Sequence, residues 1–285
     1  MDNLGVVPVF SFTLFGQLIH INYEMFIMTY IVMGLLVFTA FFGARRLKRV
    51  PEKTQNMLEI VYEFVEDITC GTLGKKDGQS FVALIFSIFV FVLAANWIGI
   101  LPHIAQFFGF LIAVIHYLFT GTAGEFVVNG LTKSSFIPNP NTAYYFLFNI
   151  PAFQEPTRSI NTDLALGLLV FFVVHINSIK KHGVLDYFRS YMGDIVPSKG
   201  FWVLLFPINP FFYLNLISEV SSVVSHSFRL FGNIFGGFMI LVIVSSLVKH
   251  FLIPVGLLAF FGLFAGLVQA FVFTMLAVTY IGQKN

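Results

Sequence analysis

The sequence predicts an all-α polytopic membrane protein with about five transmembrane crossings, an interfacial amphipathic helix and two long, strongly tilted C-terminal helices. Three observations carry this. Of 285 residues, 57% are hydrophobic and only 11% charged, a balance that excludes a soluble domain and suits a chain surrounded by lipid. Charge-free apolar runs recur between clusters of Lys and Arg, and several match the ~30 Å thickness of a hydrocarbon core. The last two such runs, Phe211 to Leu247 and Val255 to Ile281, would make helices of roughly 55 and 40 Å. Neither can stand upright in a bilayer, so both must tilt or bend.

Residues 1–285 read as one integral membrane domain, with residues 1–24 as an external N-terminal segment that lacks the basic stretch of a cleaved signal. Residues 25–44 are free of charge and form the first crossing. Arg45, Arg46, Lys48, Arg49 and Lys53 follow it, and by the positive-inside rule they mark the cytoplasmic side. From 51 to 72, Met57, Leu58, Ile60, Val61, Phe64, Val65 and Ile68 recur at helical spacing opposite Glu59, Glu63, Glu66 and Asp67. This is an amphipathic helix lying in the interface, or a solvated one packed on the protein's own loops.

Residues 81–101 make the second crossing, inside to outside. Residues 104–119 are apolar but short, as suits a re-entrant or hairpin segment as well as a full span. A polar stretch with Gly, Asn and Pro, residues 120–160, reads as an external loop. The third crossing, 164–179, returns inward and is closed by Lys180, Lys181 and His182. The region 204–247 is the long tilted helix, and 255–281 the long C-terminal one. In this scheme Lys and Arg concentrate inside, and only Lys133, Arg158 and Lys249 fall outside, with Arg229 between.

The formal charge of +2 and the lack of basic clusters interleaved with aromatics exclude a nucleic-acid partner. Cys70 is the sole cysteine, which excludes an internal disulfide. No Cys/His spacing suggests a zinc site, and no cofactor is expected.

The chemistry centres on Arg229, the only Lys or Arg between Lys199 and Lys249. A charge near a bilayer centre costs at least ~2.5–3.5 kcal/mol and usually marks an ion pathway or a buried partner. On a helix, Ser222, His226, Arg229 and Asn233 share one face, continued by Gly236 and Gly237. Ser225 and Glu219 precede the arginine, Glu219 being a carboxylate on the same long helix with no basic residue nearby in sequence. Gln269 lies mid-span on the last helix and is expected to face Arg229. Polar groups on both sides of one fixed cation would make two wet approaches separated by a charge. Such a cation repels a bare proton and attracts a mobile carboxylate, which the chain itself does not supply nearby and a partner must therefore bring. The competing reading is an ion-coupled secondary transporter with Arg229 binding an anionic substrate, against which stands the lack of an internal repeat.

SHSFRLFGN at 225–233, LVQAFVF at 267–273, ANWIGILP at 95–102 and PTRSINTDLALGL at 156–168 resemble subunit a of the F-type ATP synthase, and with the order of crossings the resemblance covers most of the chain from about residue 25. It implies a proton-translocating stator subunit, not catalytic by itself, in a bacterial plasma (inner) membrane, with the N-terminus outside and the C-terminus cytoplasmic. Its implied partners are the c-ring, the peripheral-stalk subunit b, the remainder of the complex and membrane lipid. Arg229 would meet the proton-carrying carboxylate of the ring with Gln269 close by, and Asn96, Asn161, Ser225 and Asn233 match polar positions of the family. Many members carry an acidic or histidine residue nine positions after the arginine and another seven before the glutamine. Here those positions are Phe238 and Gly262, so Asp163, His103 or His175 is expected to serve the outer half-channel.

Overall fold

The computed structural model describes residues 9–14, 17–45, 47–48, 53–101, 104–120, 124–129, 133–150, 153–191, 210–247 and 252–284. Ten α-helices are found among them: α1 (Tyr23–Ala44), α2 (Lys53–Leu73), α3 (Lys75–Trp97), α4 (Ile104–Thr120), α5 (Phe146–Asn149), α6 (Ile160–His182), α7 (Val184–Ser190), α8 (Pro210–Leu247), α9 (Leu252–Ala259) and α10 (Gly266–Lys284). Five runs are long and apolar enough to cross a membrane, namely Tyr23–Gly43, Lys75–Thr120, Ile160–His182, Pro210–Val244 and Gly256–Lys284. The protein is an all-α polytopic membrane protein, as its composition requires.

Two small antiparallel hairpins are an addition that the sequence pattern does not announce. The first pairs β1 (Val9–Leu14) with β2 (Gln17–Asn22) just before α1, and the second pairs β3 (Gly124–Asn129) with β4 (Lys133–Pro138) after α4. Both fall in segments expected as loops, where each strand has a partner for its backbone groups outside the apolar helices.

Helices α3, α6, α8 and α10 meet in one core. Ile85, Ile88, Phe89 and Val92 of α3 pack with Val170 and Val174 of α6, Leu230 of α8, and Phe273, Ala277 and Ile281 of α10. Glycine sets the closest approaches. A Cβ at Gly167 of α6 would lie 2.6 Å from Ser227 Oγ on α8, and one at Gly78 of α3 would lie 2.7 Å from the Cys70 backbone of α2. Gly74, with φ of 82°, makes the left-handed turn that folds α2 back on α3.

α2 therefore docks on its own protein through buried Val65 and Thr69, while Met57, Leu58, Ile60 and Phe64 stay exposed. Helix α1 seats Val32 against Ala95 and Ile98. Many large apolar side chains on α1, α4 and α8 face outward, which is the surface expected of a chain solvated by lipid rather than water.

α6 is longer than the predicted crossing, because Asn161 to Asp163 and Lys180 to His182 continue the helix beyond its apolar centre. α8 runs 38 residues without a break at its glycines, longer than an upright crossing needs. In the C-terminal run a π-helical segment, Phe260–Ala265, joins α9 to α10.

Candidate functional site

Lys181 Nζ on α6 lies 2.8 Å from Asp77 Oδ2 on α3, and Lys284 closes α10 on the same side, which defines a basic end of the bundle. Thr157 and Asn96 mark the opposite end. Arg229 sits between the two, near the middle of α8. It is exposed, beside exposed Ser225, Phe228 and Gly232. Among the described residues it forms no hydrogen bond or ion pair. A guanidinium in an apolar span with no acid beside it among the described residues is an unsatisfied charge, and such a charge calls for a partner.

Toward the basic end, Glu219 is buried on α8 and collects groups from α10 and α6. Tyr280 of α10 donates a hydrogen bond to Glu219 Oε2, and Lys284 Nζ stands 2.5 Å from Oε1. His175 Nε2 of α6 is 3.8 Å from Oε2 and 3.3 Å from the Tyr191 hydroxyl, which is itself 2.8 Å from the Tyr187 hydroxyl. Lys284 Nζ also lies 4.5 Å over the Tyr191 ring. Burial holds the Tyr187 and Tyr191 phenols above their usual range. Two turns nearer Arg229, His226 is buried with Nδ1 2.7 Å from the Ser222 carbonyl, while its Nε2 has no partner among the described residues.

Toward the opposite end, Asn96 of α3 is buried and acts as a clamp. Its Nδ2 donates to the Gly266 carbonyl at 3.0 Å, and its Oδ1 accepts from Thr157 Oγ1 at 2.7 Å. Asn233 of α8 makes a long 3.5 Å contact to the Ala265 carbonyl. Beside them is a cavity of about 310 Å³ lined by Asn96, Glu155, Arg158, Asn233, Phe238 and Gly262, among others. Asp163 of α6 is fully buried and neither of its carboxylate oxygens has a partner among the described residues. Buried polar atoms are ordinarily satisfied, so this orphan carboxylate stands out in the same way as Arg229.

The sequence-selected residues thus divide. Ser222, Glu219 and His226 lie on the basic side of Arg229, and Asn96, Asn233 and Asp163 on the other. His175 does not join the outer group expected of it, because α6 carries it toward the basic end, against Glu219. Asn161 is exposed on α6 and does not line the cavity. Gln269 is buried with Nε2 unpartnered among the described residues, and no hydrogen bond joins it to the outward-facing Arg229. His103 lies outside the described residues. Tyr280, Lys284, Tyr191 and Thr157 escape a reading of the sequence because each is ordinary there and becomes a site residue only through helix pairing. Glu155 escapes it because its segment reads as loop.

Fold and site together define an integral membrane protein carrying an unpaired cation between two buried polar clusters. The ATP synthase A chain family matches residues 25–282, and the chain belongs to it. Among its relatives, the ATP synthase subunit a of Desulfosudis oleivorans is 30% identical over 92% of this chain and 86% of its own. That of Gloeobacter violaceus is 32% identical over 90% of this chain and 81% of its own. Membership places the chain among the membrane proteins of ATP synthesis and proton transport.

Proposed function

We propose that this chain carries protons to and from the carboxylates of a rotating c-ring through two half-channels that Arg229 separates. The observation that supports it best is the exposed, unpaired guanidinium in the middle of α8, flanked by polar groups at two levels. In this reading Ser222, Ser225, His226 and Glu219 serve the approach from the basic end, which is cytoplasmic, and Asn96, Asn233 and Asp163 the approach from outside. Gln269 of α10 is assigned to the same site, as the polar group that faces the cation when the partner is engaged. An incoming ring carboxylate is held ionised beside Arg229 and cannot pass until it has released its proton, and the same charge stops a proton from crossing directly. Arginine suits this role because it stays charged when desolvated. The chain is a stator subunit without catalysis of its own, anchored by the peripheral stalk subunit b in a bacterial plasma membrane with its N-terminus outside.

The experiment is ATP synthesis by the fully assembled complex in liposomes. Arg229→Ala is expected to abolish proton-driven synthesis and Arg229→Lys to impair it severely, because an ammonium can lose its proton in a dry site. Synthesis by Arg229→Ala at the parent rate would reject the mechanism. Orientation is checked with a cysteine at Asn285 in a Cys70→Ser background, which should react with impermeant reagents from the cytoplasmic face only.

A further inference from the structure

From the cavity at the end opposite the basic cluster, we infer that Glu155 is the carboxylate through which protons are taken up on the outer side; this rests on the half-channel reading above. The cavity is lined along α8 and the π-helical segment by groups that do not titrate, Asn233, Phe238 and Gly262 among them, and α3 contributes the neutral Asn96. Its ionisable lining comes from the segment before α6, as Glu155 and Arg158. These two are neighbours in a 3-10 turn, with the Arg158 amide donating to the Glu155 carbonyl at 3.0 Å, yet they do not pair through their side chains. Arg158 Nη2 is committed to Gln154 Oε1 at 2.7 Å, and its guanidinium lies 4.3 Å over the Phe238 ring. Gln154 Nε2 in turn reaches Glu24 Oε2 of α1 at 3.4 Å.

The Glu155 carboxylate therefore has no hydrogen bond or ion pair among the described residues. Its oxygens are thus open to the cavity rather than committed to the neighbouring guanidinium. The carboxylate also lies close against a glycine. It packs on Gly99, where a built Cβ would stand 2.6 Å from Glu155 Cγ and collide with the carboxylate itself. Gly99 thus gives the acid a seat in the cavity wall, and half-buried Glu155 sits there within a polar lining. The next carboxylate inward is Asp163, eight residues on, buried and unpartnered among the described residues. In the proposed step a hydronium ion from the outer side gives its proton to a Glu155 oxygen and is left as water; the new O–H bond then breaks as the proton passes to a cavity water and inward toward Asp163.

The test uses the assembled complex in liposomes with Cys70→Ser as the parent. Glu155→Cys is expected to lower proton-driven ATP synthesis roughly 100-fold, the lower end of the range for loss of a proton-transfer group. Iodoacetate, which places a carboxymethyl group on the thiol as iodide leaves, should restore most of the rate. Iodoacetamide, of similar size but without an acid, should not. Parent-level synthesis by Glu155→Cys, or equal recovery with both reagents, overturns the proposal. Gly99→Ala displaces the carboxylate without removing it and should also slow synthesis. It therefore decides the question if Glu155→Cys does not assemble, with a parent rate counting against the proposal. Arg229→Ala run in parallel separates the two readings. If it is inactive while Glu155→Cys is not, only the role of Glu155 fails; if it remains active, the half-channel reading fails.

Discussion

Lys284 Nζ stands 2.5 Å from Glu219 Oε1, tying the final turn of α10 to the first half of α8. Glu219 is almost fully buried, whereas Lys284 keeps a quarter of its side chain exposed, so solvent screens part of the attraction. Lys284→Met removes the cation and leaves a buried carboxylate with Tyr280 as its remaining strong donor. The expected loss is about 1–3 kcal/mol, below the value for a fully buried pair. Adding Glu219→Gln should recover most of it, since both charges are then gone. Thermal unfolding of the purified complex across this double-mutant cycle measures the coupling.

Gly167→Ala is expected to weaken the α6–α8 contact by about 1–3 kcal/mol, because its new methyl meets Ser227 Oγ and the Val223 backbone carbonyl. Gly232→Ala differs, since nothing lies within 4 Å of its added Cβ. That change should leave stability the same or raise it by up to about 1 kcal/mol. It should still slow ATP synthesis if a partner runs against the side of α8 that bears Arg229. Melting curves and activity measured together distinguish the two glycines.

Asn96→Leu removes both a donor to the Gly266 carbonyl and an acceptor for Thr157. Leaving these buried groups unsatisfied should cost about 1–3 kcal/mol. Thr157→Val on top of it should add little, because the hydroxyl has already lost its acceptor. Additive losses, measured by denaturation of the detergent-solubilised complex, would contradict the shared bond.

Alkaline stability depends on the phenols at the basic end. Burial raises Tyr191 above the ordinary value of about 10, so the folded protein holds this proton more tightly than the unfolded chain. The resulting stabilisation is complete below that ordinary value and is lost as pH climbs toward the raised one. Tyr191→Phe should therefore flatten the fall in unfolding temperature on the alkaline side of about pH 10.

The helices were legible because lipid imposes a uniform demand: every crossing must be apolar and long enough, and Arg45, Lys75, Lys180 and their neighbours mark the side on which each one ends. Arg229 was legible for the same reason, as an exception to that demand. The pairing of polar residues was not. His175 and Glu219 are 44 positions apart and Tyr280 a further 61 beyond Glu219, so their meeting depends on helix rotation and tilt that hydrophobic pattern alone leaves open. The hairpin strands were missed because they lie in segments where neither length nor apolarity constrains the chain. Glu155 escaped notice because a glutamate in a polar loop is ordinary until Gly99 is seen to lie beneath it.

The contact between Gly167 and Ser227 has a mechanical consequence. Ser227 and Arg229 are two residues apart, about 200° around a helix, so they look in nearly opposite directions, and the side of α8 turned away from the exposed guanidinium is its tightest seat on α6. A body pressing on the Arg229 side pushes the helix onto its least compressible neighbour. Lateral force on that side is thereby carried into α6 and the core behind it rather than absorbed by a yielding helix, and the arginine keeps its station.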